Sequence, residues 1–140
     1  MGILRRAGCL LAALLFVGSA SAQTGIVVVG NLAEADAQLE RHEVRNLYMG
    51  SLRRANMQPV ALSPEHPSRV VFNTQVIGLT EQRIQAFWAQ MRFSGRGRPP
   101  REFSSTQALV NFLLETPGAV GYLSTEDSVP SGLTVLYESN

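Results

Sequence analysis

The 140-residue chain has no lysine; its twelve basic residues are all arginine, set against eleven Asp and Glu. It has one cysteine, Cys9, and two histidines, His42 and His66. One thiol excludes an internal disulfide and a metal site built on thiolates. No ligand spacing links the two histidines, so no metal site is expected. Past residue 22 the balance is ten Arg against eleven Asp and Glu, a formal −1, which argues against general nucleic-acid binding. The chain also lacks a nucleophile elbow with Ser, His and acid in order, a phosphate loop, and paired carboxylates at catalytic spacing. These absences point away from an enzyme and imply no catalytic residues and no cofactor. No apolar run is long enough to span a bilayer.

What is present begins with an export signal. Arg5 and Arg6 form a positive n-region, residues 10–17 an apolar h-region, and Ala20-Ser21-Ala22 a small-residue cleavage site before Gln23. Cys9 lies inside the h-region, away from the cut, so lipidation there is not expected. The reading is a signal peptide over 1–22 and one domain over 23–140, delivered to the periplasm with no membrane span in the mature chain. That domain has 118 residues, enough for one compact core and too few for two lobes.

Gly25-Ile26-Val27-Val28-Val29-Gly30 is a β-branched run between glycines and predicts a buried strand in a parallel sheet. Residues 33–41 are polar and alanine-rich, a loop or loose helical turn. Residues 43–50 predict a short helix with Val44, Leu47 and Tyr48 on one face and Gly50 at its end. A second short strand follows at 59–62. Pro67 suits the first turn of a helix that carries Val70, Phe72, Val76 and Ile77 inward and stops at Gly78. Thr80 caps the next helix, with Ile84, Phe87, Trp88 and Met91 along one side. Residues 94–101 are a glycine- and proline-bearing loop. Ser104-x-x-Gln107 matches a capping box, and Leu109, Val110, Leu113 and Leu114 form the following apolar face. Strands at 118–123 and 133–137, with a turn at 128–132, complete an α/β order.

Four of these segments carry a resemblance. They are Ile26-Val27-Val28-Val29; Leu39 followed by Glu43-Val44-Arg45-Asn46-Leu47-Tyr48-Met49-Gly50; Phe72 followed by Val76-Ile77-Gly78; and Phe87-Trp88 through Arg96-Gly97-Arg98-Pro99-Pro100 to Gly118-Ala119-Val120-Gly121-Tyr122. In this order they resemble phosphate-binding proteins of ABC importers, the type 2 periplasmic-binding fold, with Tyr48 in the aromatic place of a helix ending Phe-x-Gly. The resemblance implies an α/β, single-lobe periplasmic-binding-protein-like domain with a mixed, mostly parallel sheet flanked by helices. It also implies a small phosphate-like oxyanion as ligand. Two departures accompany it. Ser51-Leu52-Arg53-Arg54 stands where the family often has a tryptophan. The family's Ser-Gly-Thr at a helix start falls on His66-Pro67-Ser68, and its upstream arginine falls near Leu62. Pro67 has no N–H to offer an anion.

The candidate ligand-binding residues are therefore Ser68 and Arg69 at the helix start, and Arg96 and Arg98 on the loop. Arg92, Arg96, Arg98 and Arg101 are the one basic concentration in the mature chain. That loop could equally be a solvated connection shaped by its glycines and prolines. His66 is expected to cap a helix rather than bind metal, and Trp88 to pack in the core rather than form a ligand platform. Tyr122 is expected to anchor its strand against a helix. Two functions follow from the sequence. One is weak oxyanion binding or presentation by a secreted solute-binding-like protein. The alternative is an envelope protein–protein interaction module that keeps the fold but has lost high-affinity binding. The export reading predicts that the protein isolated from its native envelope begins at or near Gln23 by mass spectrometry; a cytosolic, full-length product would refute it.

Overall fold

The computed structural model describes residues 24–33, 38–52, 54 and 56–140. The expected signal segment, and part of the expected loop at 33–41, lie outside these residues. Five strands form one sheet in the order β3-β2-β4-β1-β5. They are β1 (Ile26–Gly30), β2 (Gln58–Leu62), β3 (Arg101–Phe103), β4 (Ala119–Ser124) and β5 (Thr134–Glu138). β2 runs parallel to β3 and to β4, while β1 is antiparallel to β4 and β5. The sheet is thus mixed, with β1 alone running against the other strands. This corrects the expectation that β1 lies in a parallel setting. All five β1 residues are buried. An uninterrupted apolar run reports coverage on both faces and carries no mark of whether the paired strands run parallel or antiparallel.

The helices start where side chains can satisfy their first N–H groups. α1 (Arg41–Tyr48) begins slightly before the expected segment because Glu40 and Glu43 form a capping box, the Glu40 N–H donating to Glu43 Oε2 at 2.9 Å. α2 (Pro67–Phe72) starts at His66 and widens into a π-helical turn, Asn73–Ile77, that ends at Gly78 with φ 72°. Phe72, Val76 and Ile77 point inward as expected, but Val70 is 57% exposed. Val70 and Phe72 stand about 200° apart around the axis, so one helix cannot turn both to the core. α3 (Glu81–Phe93) is capped by Thr80 and buries Ile84 and Trp88. α4 (Thr106–Glu115) is capped by Ser105, one residue after the expected Ser104, with its Oγ accepting from the Ala108 N–H at 3.2 Å. Leu109, Val110 and Leu113 are buried and Leu114 is 42% exposed, because it lies at the edge of that stripe. β3, absent from the expected elements, is too short and polar to read from pattern; it forms by pairing with β2 at Val60–Leu62.

Three distant aromatic side chains meet between sheet and helices. Phe72 stacks on Tyr122, with centroids 3.9 Å apart and planes 5° from parallel. Tyr48 stands edge-on to Phe72 at 4.7 Å and to Tyr122 at 5.9 Å. The two hydroxyls close a gap in the sheet. β2 and β4 pair only at Gln58↔Ala119 and Pro59↔Val120. Beyond that point Tyr122 Oη accepts from the Leu62 N–H at 3.0 Å, and Tyr48 Oη lies 2.9 Å from the Val60 carbonyl and 3.2 Å from that of Val120. Backbone groups left by the diverging strands thus find side-chain partners. Burial pushes the Tyr122 phenol up to about 12, against the pull of the Arg69 charge, so it stays protonated at neutral pH.

Trp88 packs over the turn after α1: a Cβ on Gly50 (φ 74°) would stand 3.1 Å from its Cη2 atom. At 5% exposure it belongs to the core. Trp88→Ala is expected to lower stability by roughly 3–5 kcal/mol in chemical denaturation, and an unchanged midpoint would remove Trp88 from the core.

Candidate functional site

The start of α2 is the place where the family-like reading puts an oxyanion. Its donors are already engaged. Pro67 has none. The Ser68 N–H donates to His66 Nδ1 at 3.2 Å, and the N–H groups of Arg69 and Val70 both reach the His66 carbonyl, at 2.9 and 3.4 Å. His66 Nε2 lies 3.3 Å from Thr106 Oγ1, so this residue caps α2 and ties it to the start of α4.

Arg69 is 6% exposed and directed inward. Its Nε and Nη2 grip Glu81 at 3.0 and 2.9 Å, and its Nη1 donates to the Leu62 carbonyl at 2.8 Å and reaches Glu102 at 3.5 Å. Glu81 also accepts from Asn73 at 2.6 Å and from Gln85 at 2.7 Å. Partial burial pushes the Glu81 carboxyl up. The hydrogen bonds from Gln85 and Asn73 and the charge of Arg69 outweigh that and hold it below its usual value of 4.5. The network joins α2, α3 and β3, and two carboxylates meet one guanidinium. A phosphate placed here would face this excess of negative charge.

Two cavities flank the segment between α3 and β3. The first, about 460 Å³, lies between α3 and the sheet, with Arg69 and Arg92 balanced by Glu65 and Glu102 among its lining residues. The second, about 360 Å³, is lined by Arg54, Arg96, Arg98 and Arg101 and, among the described residues, by no Asp or Glu. Arg54 is held by Glu43 at 2.8 Å, and the Arg101 guanidinium sits 5.0 Å over the Phe103 ring and 5.1 Å over that of Phe112. Both are therefore fixed in place from the protein side.

The loop itself is braced. The Arg96 N–H bonds the Met91 carbonyl at 2.9 Å and the Gly95 N–H bonds that of Arg92 at 3.1 Å, with Gly95 at φ 67°. This is a Schellman closure of α3, which only a residue tolerating positive φ completes without strain. A Cβ on Gly97 would rest 3.6 Å from both Trp88 and Met91, so the chain turns back against the helix there. Arg96 and Arg98 are exposed.

The four expected ligand residues thus fall into two separate pairs. Ser68 and Arg69 belong to the α2 network, and Arg96 and Arg98 line the second cavity, joined there by Arg54 and Arg101. Sequence reasoning missed Glu81 and Glu102 as partners of Arg69. They lie 12 and 33 residues away, and Glu81 reads simply as an acid in a helix's first turn. Among the described residues no group of three or more His, Cys, Asp or Glu is placed to hold a metal ion, and no helix is long and apolar enough to cross a membrane.

No family model and no curated protein sequence matches the chain. Solved structures do. An ABC-type phosphate transport receptor from Vibrio cholerae superposes with a TM-score of 0.60 at 16% identity, over 81% of this chain and 45% of the receptor. PstS from Borrelia burgdorferi superposes with a TM-score of 0.59 at 11% identity, over 81% of this chain and 46% of PstS. The chain spans about half the length of each. At such identities the likeness is one of fold, and the fold is that of half a PstS-type periplasmic binding protein.

The α2 network predicts structural rather than ligand-linked behaviour for Arg69. Arg69→Gln is expected to lose about 3 kcal/mol of stability at pH 7, since it strands the partly buried Glu81 carboxylate. Glu81, lowered in the folded state, contributes in full above pH 4.5, and this contribution is lost as pH falls through its folded value. Urea denaturation at pH 7 and at about pH 3 should therefore show the variant's deficit shrinking in acid. A deficit independent of pH would contradict the assignment.

Proposed function

We propose that this protein is an exported, periplasmic binding module that recognises anionic groups weakly, at the arginine cavity beside the 94–101 loop rather than at the start of α2. The observation that carries this reading is the lining of that cavity: Arg54, Arg96, Arg98 and Arg101 contribute to it and, among the described residues, no Asp or Glu does, the Glu43 that pairs with Arg54 lying outside the lining. Guanidinium groups suit phosphate and carboxylate oxygens because their planar forks bind two oxygens at once. At α2, by contrast, backbone donors and guanidinium are already satisfied within the protein. The fold likeness to a phosphate transport receptor supports an anion as the ligand class. Binding is weak on this reading because the cavity is open to water, and hydrogen bonds that compete with solvent contribute little net energy each.

A second reading, a protein-interaction module, draws on the exposed arginines of the loop, which could engage a partner's carboxylates as readily as a free ion.

Calorimetric titration with phosphate and sulfate separates the possibilities. Phosphate is expected to bind no tighter than about 1 µM. Arg96→Ala combined with Arg98→Ala should weaken it by at least about 100-fold, since each lost charge-assisted hydrogen bond is worth about 1.5–3 kcal/mol. Ser68→Ala should leave it unchanged. Nanomolar binding, or dependence on Ser68, would return the site to the helix start.

A further inference from the structure

The segment between Glu81 and Glu102 contains five arginines and no Asp or Glu, while the whole chain carries a net charge of only +1. At the end of α3, within that segment, stands Phe93, 96% exposed. Its exposure follows from helix geometry. Phe93 comes nine residues after the buried Ile84, which at about 100° per residue is half a turn round the axis. The domain therefore cannot cover this ring while α3 keeps Ile84 buried. Arg92, Arg96 and Arg98 line one shallow concavity of the loop that follows. The Schellman closure holds that loop in shape before any contact is made, so little ordering is required on binding.

We infer that the 92–98 loop docks the protein on an anionic phospholipid surface, with Phe93 entering the acyl boundary and Arg92, Arg96 and Arg98 meeting lipid phosphates. This rests on the reading of the loop as an anion-recognition surface and names the bearer of the anions. The pattern of apolar exposure favours a bilayer over a protein. A protein hot spot needs an apolar core several residues wide. Around Phe93 the exposed neighbours are Ala89, Gln90, Arg92, Ser94, Gly95 and Arg96, none of them a large apolar side chain. A fluid bilayer accepts one isolated aromatic ring, and its negative surface attracts the surrounding guanidinium groups. One ring and a few arginines give reversible attachment rather than permanent anchoring.

Sedimentation with vesicles tests this on the protein purified from its native cells. It should bind vesicles of phosphatidylglycerol mixed with phosphatidylcholine and leave pure phosphatidylcholine unbound. Raising salt to about 0.5 M should weaken binding at least tenfold, as expected for screened surface charge. Phe93→Ser should weaken it about tenfold or more with the melting temperature unchanged, and Arg98→Ala about fivefold. Failure to bind the anionic vesicles, or binding indifferent to Phe93→Ser, would overturn the proposal. Phosphate titration run in parallel separates the two readings. Phosphate binding sensitive to Arg96 and Arg98 without vesicle binding overturns lipid docking and leaves the anion site standing. Absence of both overturns both. Retention of an acidic protein that is lost on Phe93→Ser, without vesicle binding, would replace the lipid with a protein partner.

Discussion

The stack of Phe72 on Tyr122, with Tyr48 edge-on to both, is the contact on which the rest of the architecture depends. It joins α1, α2 and β4, elements separated by long stretches of chain. Its two hydroxyls also satisfy backbone groups of β2 and β4 where those strands part. An aromatic cluster of this kind combines large apolar burial with directional hydrogen bonds, so it sets distance and orientation together. The three rings come from the segments that carry the resemblance to phosphate-binding proteins. What those motifs preserve in this chain is a packing arrangement.

One layer out, Arg69 plays a corresponding role in polar terms. It lies between the end of β2, the first turn of α3 and β3, and each of its three side-chain nitrogens has an internal acceptor. In the family-like reading this position faces a ligand. Here Glu81 and Glu102 occupy the place of an anion, and the pair works as a clasp between α2 and α3. Two carboxylates around this arginine satisfy its charge within the protein.

Basic residues concentrate instead on the segment after α3. That segment is defined by backbone devices rather than by burial: a left-handed Gly95, a Gly97 that rests on Trp88 and Met91, and two prolines that carry the chain to β3. Such a loop holds charged side chains outward at small conformational cost. The fold of half a PstS-type protein thus carries its arginine-rich segment on an outer loop.

Local pattern determined most of the elements. The β-branched run of β1, the Thr80 cap, the Pro67 start and the Gly78 stop each act within a few residues, and each was legible because caps, turns and apolar periodicity are short-range effects. The inward faces of α1 and α3 and the anchoring of Tyr122 against a helix were legible for the same reason. The direction of β1, the existence of β3 and the partners of Arg69 were decided only by tertiary structure. A strand's sequence records what covers its faces and carries no mark of its neighbours' direction. β3 has three residues and forms only because β2 offers a free edge. Arg69 reads as a surface cation until Glu81 and Glu102, distant in sequence, are brought against it and its own burial makes pairing obligatory.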